Sequence, residues 1–326
     1  MKTINWGIIG CGNIANKFIK ALKTIDNANL LAVASKSGDN AQQYAKKYDV
    51  QYYYNNYNDL VLNPEIDVVY IANSHNFHKD SALLCINHGK AVLCEKSLTV
   101  NASEAVELVN AARSKQVFLM EAMWSRFQPV TRKVMEILDK KMIGDIRVVS
   151  AGFGFKASQN ADHRLFNPRL AGGALLDIGV YPVSLASLVF GKKPADIKSH
   201  AVIGPTGVDD SSSYFFTYDK GETALLNASL TYKNSQLAII IGTKGIIQIP
   251  SFWMAEKLIV EIENKNPVTY DLPLRCNGYE YEIEEVMQCL REGKTESSIM
   301  PLDESINIMQ TMDQLRSQWN LKYPGE

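Results

Sequence analysis

No run in this chain of 326 residues approaches the roughly 18 uninterrupted apolar residues that a membrane span requires. A strand pattern is already under way by Thr3, so no signal peptide is expected. Charge of one sign is equally lacking: 34 basic residues stand against 35 acidic ones, for a formal net charge of −1. Nothing global therefore recruits nucleic acid or an anionic membrane surface. Cysteine is sparse and scattered, and Cys11, Cys85, Cys94, Cys276 and Cys289 form no C-x-x-C pair. An odd, unclustered set reads as free thiols in a reducing compartment, so a cytoplasmic address is expected and a cysteine-held metal is not. No histidine–carboxylate cluster has metal-ligand spacing, and no G-x-S-x-G or Cys/His arrangement suggests acyl transfer. Internal repeats and low-complexity stretches are also missing.

What is present is a globular composition, 46% hydrophobic and 21% charged, in a chain long enough for two domains. From Thr3 to about Ala122, "TINWGII", "NLLAVAS", "IDVVYIA", "KAVLCE" and "VFLMEA" alternate with helical patterns. Strands that are apolar throughout are buried on both faces, as in a parallel sheet covered by helices. Helix-start signals lie at Asn101-Ala-Ser103-Glu104 and at Ser37-Gly-Asp39. After Trp124 the pattern changes. One helix, "PVTRKVMEILDKK", leads into long period-two segments, with hairpin turns expected at Asp219-Lys220-Gly221 and Thr243-Lys244-Gly245. The expected fold is α/β: a Rossmann, doubly wound parallel sheet over residues 1–122, then an α+β domain over 123–326 with a large open, mostly antiparallel sheet. The two closing helices are candidates to pack back on the first domain.

The segment "INWGIIGCGNIANKF" places G-x-G-x-x-A directly after an apolar strand and at the start of a helix. Such a turn can be merely structural, but within a βαβ unit it is the context a dinucleotide pyrophosphate needs. Gly10 permits the tight turn, Gly12 lets the phosphates approach the backbone, and Ala15 lets helix and strand pack closely. Asn13 and Ile14 begin the helix, whose unpaired N–H groups and dipole favour negative charge. At the end of the second strand, where an NAD enzyme usually carries a carboxylate for the ribose 2′-hydroxyl, stand Ser35, Lys36 and Ser37. A cation and two hydroxyls suit a 2′-phosphate, which favours NADP(H) and leaves NAD(H) open.

A second signal is "GKAVLCEKS", where Glu95-Lys96 ends a strand at the carboxyl edge of the sheet. With the glycine motif, "EAMWSRFQP", "AGGALLDIGVYPVSLASLVFG" and the closing helices, it makes the chain resemble the Gfo/Idh/MocA oxidoreductases over essentially its whole length. Within that family the likeness is greatest to the branch of dimeric dihydrodiol dehydrogenases and glucose–fructose oxidoreductases. The resemblance implies that Lys96 lies beside the nicotinamide and the reacting hydroxyl, although Ser97 stands where the family's E-K-P motif has proline. It implies that Asp177-Ile-Gly179-Val-Tyr181 matches D-x-G-x-H/Y, with Tyr181 as the acid/base residue. Asn73-Ser74-His75-Asn-Phe-His78 stands for the family's T-P-N-x-x-H, so Asn73, His75 and His78 line the cofactor, as does Glu95. It further implies a homodimer or homotetramer formed through the open sheet.

Tyrosine ordinarily titrates near 10, so a Tyr181 base working near neutral pH must be stabilised as phenolate by about 4 kcal/mol. The ammonium of Lys96 acts in that direction; the carboxylate of Asp177 opposes it and suits contact with substrate hydroxyls or Lys96 instead. Pro182 suggests a helix beginning near Gly179 to Tyr181, with Asp177 ahead of it as a possible N-cap. Trp124, Arg126, His163 and Arg164 are candidate substrate contacts, and Trp253 and Met254 follow a strand that could approach the site. The expected activity is a dehydrogenase or reductase acting on a sugar, cyclic polyol or dihydrodiol. Reduction of an imine or conjugated system, or non-catalytic dinucleotide sensing, are the alternatives.

Overall fold

The structure of the protein, a computed structural model, describes residues 2–36, 38–158 and 160–326. The chain divides into two compact units: residues 1–127 with 275–306, and residues 128–274 with 307–326.

The first unit is built on β1 (Ile4–Ile9), α1 (Asn13–Leu22), β2 (Ala28–Ala34), α2 (Gly38–Tyr48), β3 (Tyr52–Tyr54), α3 (Tyr57–Leu62), β4 (Val68–Ile71), α4 (His78–Asn87), β5 (Ala91–Glu95), α5 (Ala102–Lys115) and β6 (Leu119–Ala122). The six strands form one sheet in the order β3-β2-β1-β4-β5-β6, parallel throughout. The apolar runs explain it. Every residue of β4, β5 and β6 is buried, because helices cover both faces of a parallel sheet. The switch of direction falls between β1 and β4, where such sheets bind ligands beyond the strand ends. Asn101 caps α5 as its sequence implies, accepting the Glu104 N–H at 2.9 Å. Ser37, the other expected cap, lies outside the described residues.

The second unit begins with α6 (Pro129–Asp139), which has proline in its first turn. Next come β7 (Ile146–Gly154), α7 (Val180–Phe190), β8 (Asp196–Ile203), β9 (Asp209–Thr217), β10 (Thr223–Ser229), β11 (Leu237–Gly242), β12 (Gly245–Pro250), β13 (Lys257–Ile262) and β14 (Val268–Asp271). The eight strands run in the order β14-β13-β12-β11-β7-β10-β9-β8, antiparallel except for the β7–β10 pair. Both expected turns join antiparallel neighbours, β9 to β10 and β11 to β12. α8 (Glu280–Arg291) belongs to the first unit, and the division between units falls within α9 (Leu302–Gln318). The segment Pro168–Phe190 has the length and composition of a membrane span, but 78% of its apolar window is buried in the protein, as in a core helix.

Candidate active site

In the first unit the glycine turn follows β1. Gly10 adopts φ +97°, and a Cβ there would come within 2.8 Å of the backbone of Ala72 and Asn73. Only glycine fits. At Gly12 an added Cβ would meet nothing within 4 Å, so the turn is bordered by open room. Ala15 is fully buried, and among the described residues no side chain caps the first turn of α1, as suits N–H groups that take an outside acceptor. Asn13 is exposed and Ile14 half-buried. This cradle fits a pyrophosphate: backbone donors, no intruding side chain and the positive end of a helix dipole. Two contacts from α2, invisible to motif reading, steady the turn. Tyr44 Oη donates to the Gly12 carbonyl at 2.5 Å and Asn40 Nδ2 to the Cys11 carbonyl at 3.1 Å.

Ser35 is buried at the end of β2 and Lys36 is exposed beyond it. The Lys36 ammonium lies 4.4 Å from the centre of the Phe77 ring and 5.8 Å from that of Tyr57. After β4, Asn73 donates from Nδ2 to Ser81 at 2.8 Å. The His75 ring meets that of His78 edge-on, at 5.4 Å and 81°. His78 bridges two loops, its Nδ1 2.8 Å from the Ser97 carbonyl and its Nε2 3.1 Å from that of Asn73. Burial drives the imidazole down to about 4, against the pull of those carbonyls. It is therefore neutral at pH 7.

Lys96 follows β5, and its N–H donates to Glu95 Oε2 at 3.2 Å, while the Tyr70 hydroxyl donates to Glu95 Oε1. The Lys96–Ser97 peptide is cis. Trp124 and Arg126 also fall in this unit. Trp124 is buried and stacked on Tyr279, with ring centres 4.8 Å apart at 10°. Arg126 is buried and ion-paired with Glu304.

In the second unit α7 begins at Val180 with Pro182 in its first turn, as the sequence implies, but the helical run that carries Asp177 and Tyr181 extends further upstream. Leu175–Gly179 is a π turn that runs directly into α7, closed by the Val180 N–H on the Leu175 carbonyl. Pro182 is thus in the first turn of the α-helix proper and interior to the longer run that includes the π turn. Asp177 is not an N-cap. It lies inside the π turn, buried, and accepts from Arg164 Nη1 at 2.7 Å. Wide turns of this kind recur at functional sites. His163 is exposed, and its Nδ1 accepts the Leu165 N–H at 3.3 Å.

Tyr181 is 6% exposed and belongs to an aromatic cluster. Phe153 stacks on Trp253 at 4.6 Å and 10°, Tyr181 meets Phe153 edge-on at 5.6 Å and 62°, and it lies 6.4 Å from Trp253. Phe153, at the end of β7, was not found from the sequence; its alternation in "DIRVVSAGFGF" marks it only as inward-facing. Met254, by contrast, is 40% exposed. Among the described residues, no group of three or more His, Cys, Asp or Glu side chains could hold a metal ion.

A parallel sheet with this strand order, a pyrophosphate cradle at its switch point and a lysine at the end of β5 define a dinucleotide-binding α/β protein. Residues 4–123 match the family model described as "Oxidoreductase family, NAD-binding Rossmann fold", and residues 131–248 match the GFO/IDH/MocA C-terminal domain. The chain belongs to the GFO/IDH/MocA oxidoreductase family. It is 38% identical over 331 residues to the trans-1,2-dihydrobenzene-1,2-diol dehydrogenase of Xenopus laevis, covering 98% of this chain and 99% of that one. The enzyme of the same name from Homo sapiens is 36% identical over 334 residues, covering 99% of each. Among solved structures, KijD10, a 3-ketoreductase from Actinomadura kijaniata in complex with NADP and TDP-benzene, matches with a TM-score of 0.85. It is 25% identical and covers 97% of this chain and 98% of its own. A levoglucosan dehydrogenase shares the fold, with a TM-score of 0.88 at 19% identity over 97% of each chain.

Proposed function

We propose that this oxidoreductase transfers a hydride between NADP(H) and a secondary alcohol or carbonyl carried on a ring, such as a trans-dihydrodiol, a sugar or a cyclic polyol. Tyr181 serves as acid/base and Lys96 assists it. The observation that carries the reading is the surroundings of Tyr181: a phenol at the edge of the stacked Phe153–Trp253 pair, one helical turn from the Asp177–Arg164 ion pair. Flat apolar rings suit one face of a cyclic substrate, and the charged pair suits its remaining hydroxyls. The names of the curated relatives point to the same substrate class.

The nicotinamide, when bound, supplies the hydride acceptor or donor. The rest falls to the chain. Tyr181 takes the hydroxyl proton in oxidation and returns it in reduction; the Lys96 ammonium favours the phenolate. Arg164 neutralises Asp177, which removes the charge that would otherwise oppose that phenolate. The glycine turn and the first N–H groups of α1 would hold the pyrophosphate. For NADP over NAD the support is Lys36 beyond β2, with no carboxylate at Ser35 or Lys36 to repel a 2′-phosphate, together with the NADP bound to the Actinomadura kijaniata ketoreductase.

The test is a panel of trans-dihydrodiols, sugars, polyols and ketones, followed by the absorbance of the reduced cofactor with NADP⁺ and NAD⁺. Turnover on at least one ring alcohol, lost in Tyr181→Phe with cofactor affinity retained, is expected. Cofactor binding without turnover across the panel would favour a sensor.

A homo-oligomer formed through the open sheet belongs to the same proposal. Phe215 and Leu225 are cross-strand partners, 39% and 48% exposed, and Ile239 lies in the same row across Ser150. Neighbouring exposed apolar residues on one face favour a covering surface. Sedimentation as a dimer or tetramer at micromolar concentration is expected, and a monomer would contradict it.

A further inference from the structure

The helical segment that carries Tyr181 has no cap of its own. Ala174 occupies the cap position without a side-chain hydrogen bond, although the first N–H groups of any helix need acceptors. The acceptor comes instead from a strand 34 residues later in the chain: Asp209 Oδ2, at the start of β9, takes the Leu175 N–H at 2.7 Å. Asp209 is fully buried, and among the described residues its Oδ1 has no hydrogen-bond partner. Gly173 makes the approach possible. It adopts φ +117°, and a Cβ there would fall 2.2 Å from Asp209 Oδ1. At the other end of the π turn, Tyr214 of β9 presents its hydroxyl to Gly179, where a Cβ would lie 2.6 Å from it. That hydroxyl is tied to Ser212 at 2.7 Å, and Ser212 lies 3.4 Å from Asp209 Oδ2. One strand thus bonds to one end of the five-residue turn and packs closely against the other.

We infer that Asp209, with Tyr214, is a positioning residue for Tyr181: β9 holds the wide turn open and so sets the direction in which the phenol projects. The inference rests on the acid/base role proposed for Tyr181. Its physical basis is register. Closing a five-residue ring to an ordinary four-residue one shifts everything beyond by one residue, about 100° around the helix axis at 3.6 residues per turn. A carboxyl bonded to a backbone N–H is a directional anchor, whereas packing alone would tolerate either ring. Burial pushes Asp209 up to about 7. The groups around it (Asp210, Ser212, Tyr214 and Tyr323) offer no cation against its charge.

The test compares Asp209→Ala, Asp209→Asn and Tyr214→Phe in the full-length protein, measuring kcat, KM, cofactor affinity and the crystal structure of the helix. Asp209→Ala is expected to lower kcat by roughly 100-fold, with KM and cofactor affinity within about threefold, and to close the π turn. Asp209→Asn keeps an oxygen for the Leu175 N–H and is expected to restore kcat to within a few fold of the parent. Should Asp209→Ala not fold, Tyr214→Phe provides the milder case, with kcat down several-fold at unchanged KM. A π turn intact in the variants, with kcat per folded molecule unchanged, overturns the inference; so does Asp209→Asn behaving no better than Asp209→Ala. Full activity of Tyr181→Phe would sink the acid/base reading separately, because the helix register in Asp209→Ala is read from coordinates and not from turnover.

Discussion

The two units hold their candidate groups by different means. In the first, the parts are backbone features close together in sequence: a glycine turn with room beside it, a helix end without a cap, and a lysine fastened to the carboxylate immediately before it. In the second, the phenol sits on a helix whose opening turn is anchored by a side chain from a distant strand. Damage should therefore differ in kind. A change in the first unit removes a ligand-binding feature or breaks the fold locally, whereas a remote change in the second can leave every chemical group present and aim one of them wrongly.

The largest effects expected are on turnover. Tyr181→Phe and Lys96→Ala should each lower kcat by about 10²–10⁴-fold. If both groups serve one hydroxyl, the double variant should lose much less than the product of the single losses. Steady-state kinetics on the four forms decides this, and full additivity would break the pairing. The two glycines of the turn should fail differently. Gly12→Val enters open room, so the melting temperature should hold while cofactor affinity falls by about 100-fold. Gly10→Ala meets backbone at positive φ and should cost about 1–3 kcal/mol of stability first. Parallel calorimetry and cofactor titration would show it, and equal destabilisation by both would remove the distinction.

Each unit also holds a buried titratable group near its candidate site. Asp209 is raised from the ordinary aspartate range near 3.9 to about 7. The folded state keeps a proton that the unfolded chain releases, so this contribution is present below about pH 4 and is lost as pH rises toward 7. His78 is lowered from near 6.5 to about 4. The unfolded chain takes up a proton that the folded state refuses, so stability falls as pH drops from 6.5 toward 4. Each group contributes a slope of at most about 1.4 kcal/mol per pH unit. Denaturant midpoints across pH 4–8 should show a shallower first trend in Asp209→Asn, part of it remaining because burial also raises Glu121 and Glu282, and a shallower second trend in His78→Asn. The smallest effect is on cofactor choice: Lys36→Ala should reduce the preference for NADP⁺ over NAD⁺ by about tenfold, or 1.4 kcal/mol. Unchanged selectivity would take Lys36 out of the argument for NADP.

Both sheets could be read from hydrophobic period, because buried parallel strands are apolar throughout and half-buried antiparallel ones alternate. β3 was missed: three tyrosines beside polar, turn-forming residues have strand propensity but too short a run to show a period. The glycine turn and the place of Lys96 directly after β5 were readable because both are set by neighbours in sequence. Pro182 located the start of α7 but not the π turn ahead of it, since its missing N–H marks only a first α-helical turn. The π turn takes its cap from Asp209, which accepts the Leu175 N–H, and no local pattern reports a cap supplied from another strand. Phe153 and Trp253 escaped assignment to one cluster for the same reason: their stacking depends on which strand ends adjoin.

The cap from β9 also bears on protein engineering. A chimera receiving only residues 168–190 would inherit the tyrosine and its helix but leave behind the fastening that sets their angle. Swaps among relatives should therefore move the Asp209–Tyr214 stretch together with that helix, as a single inherited cassette.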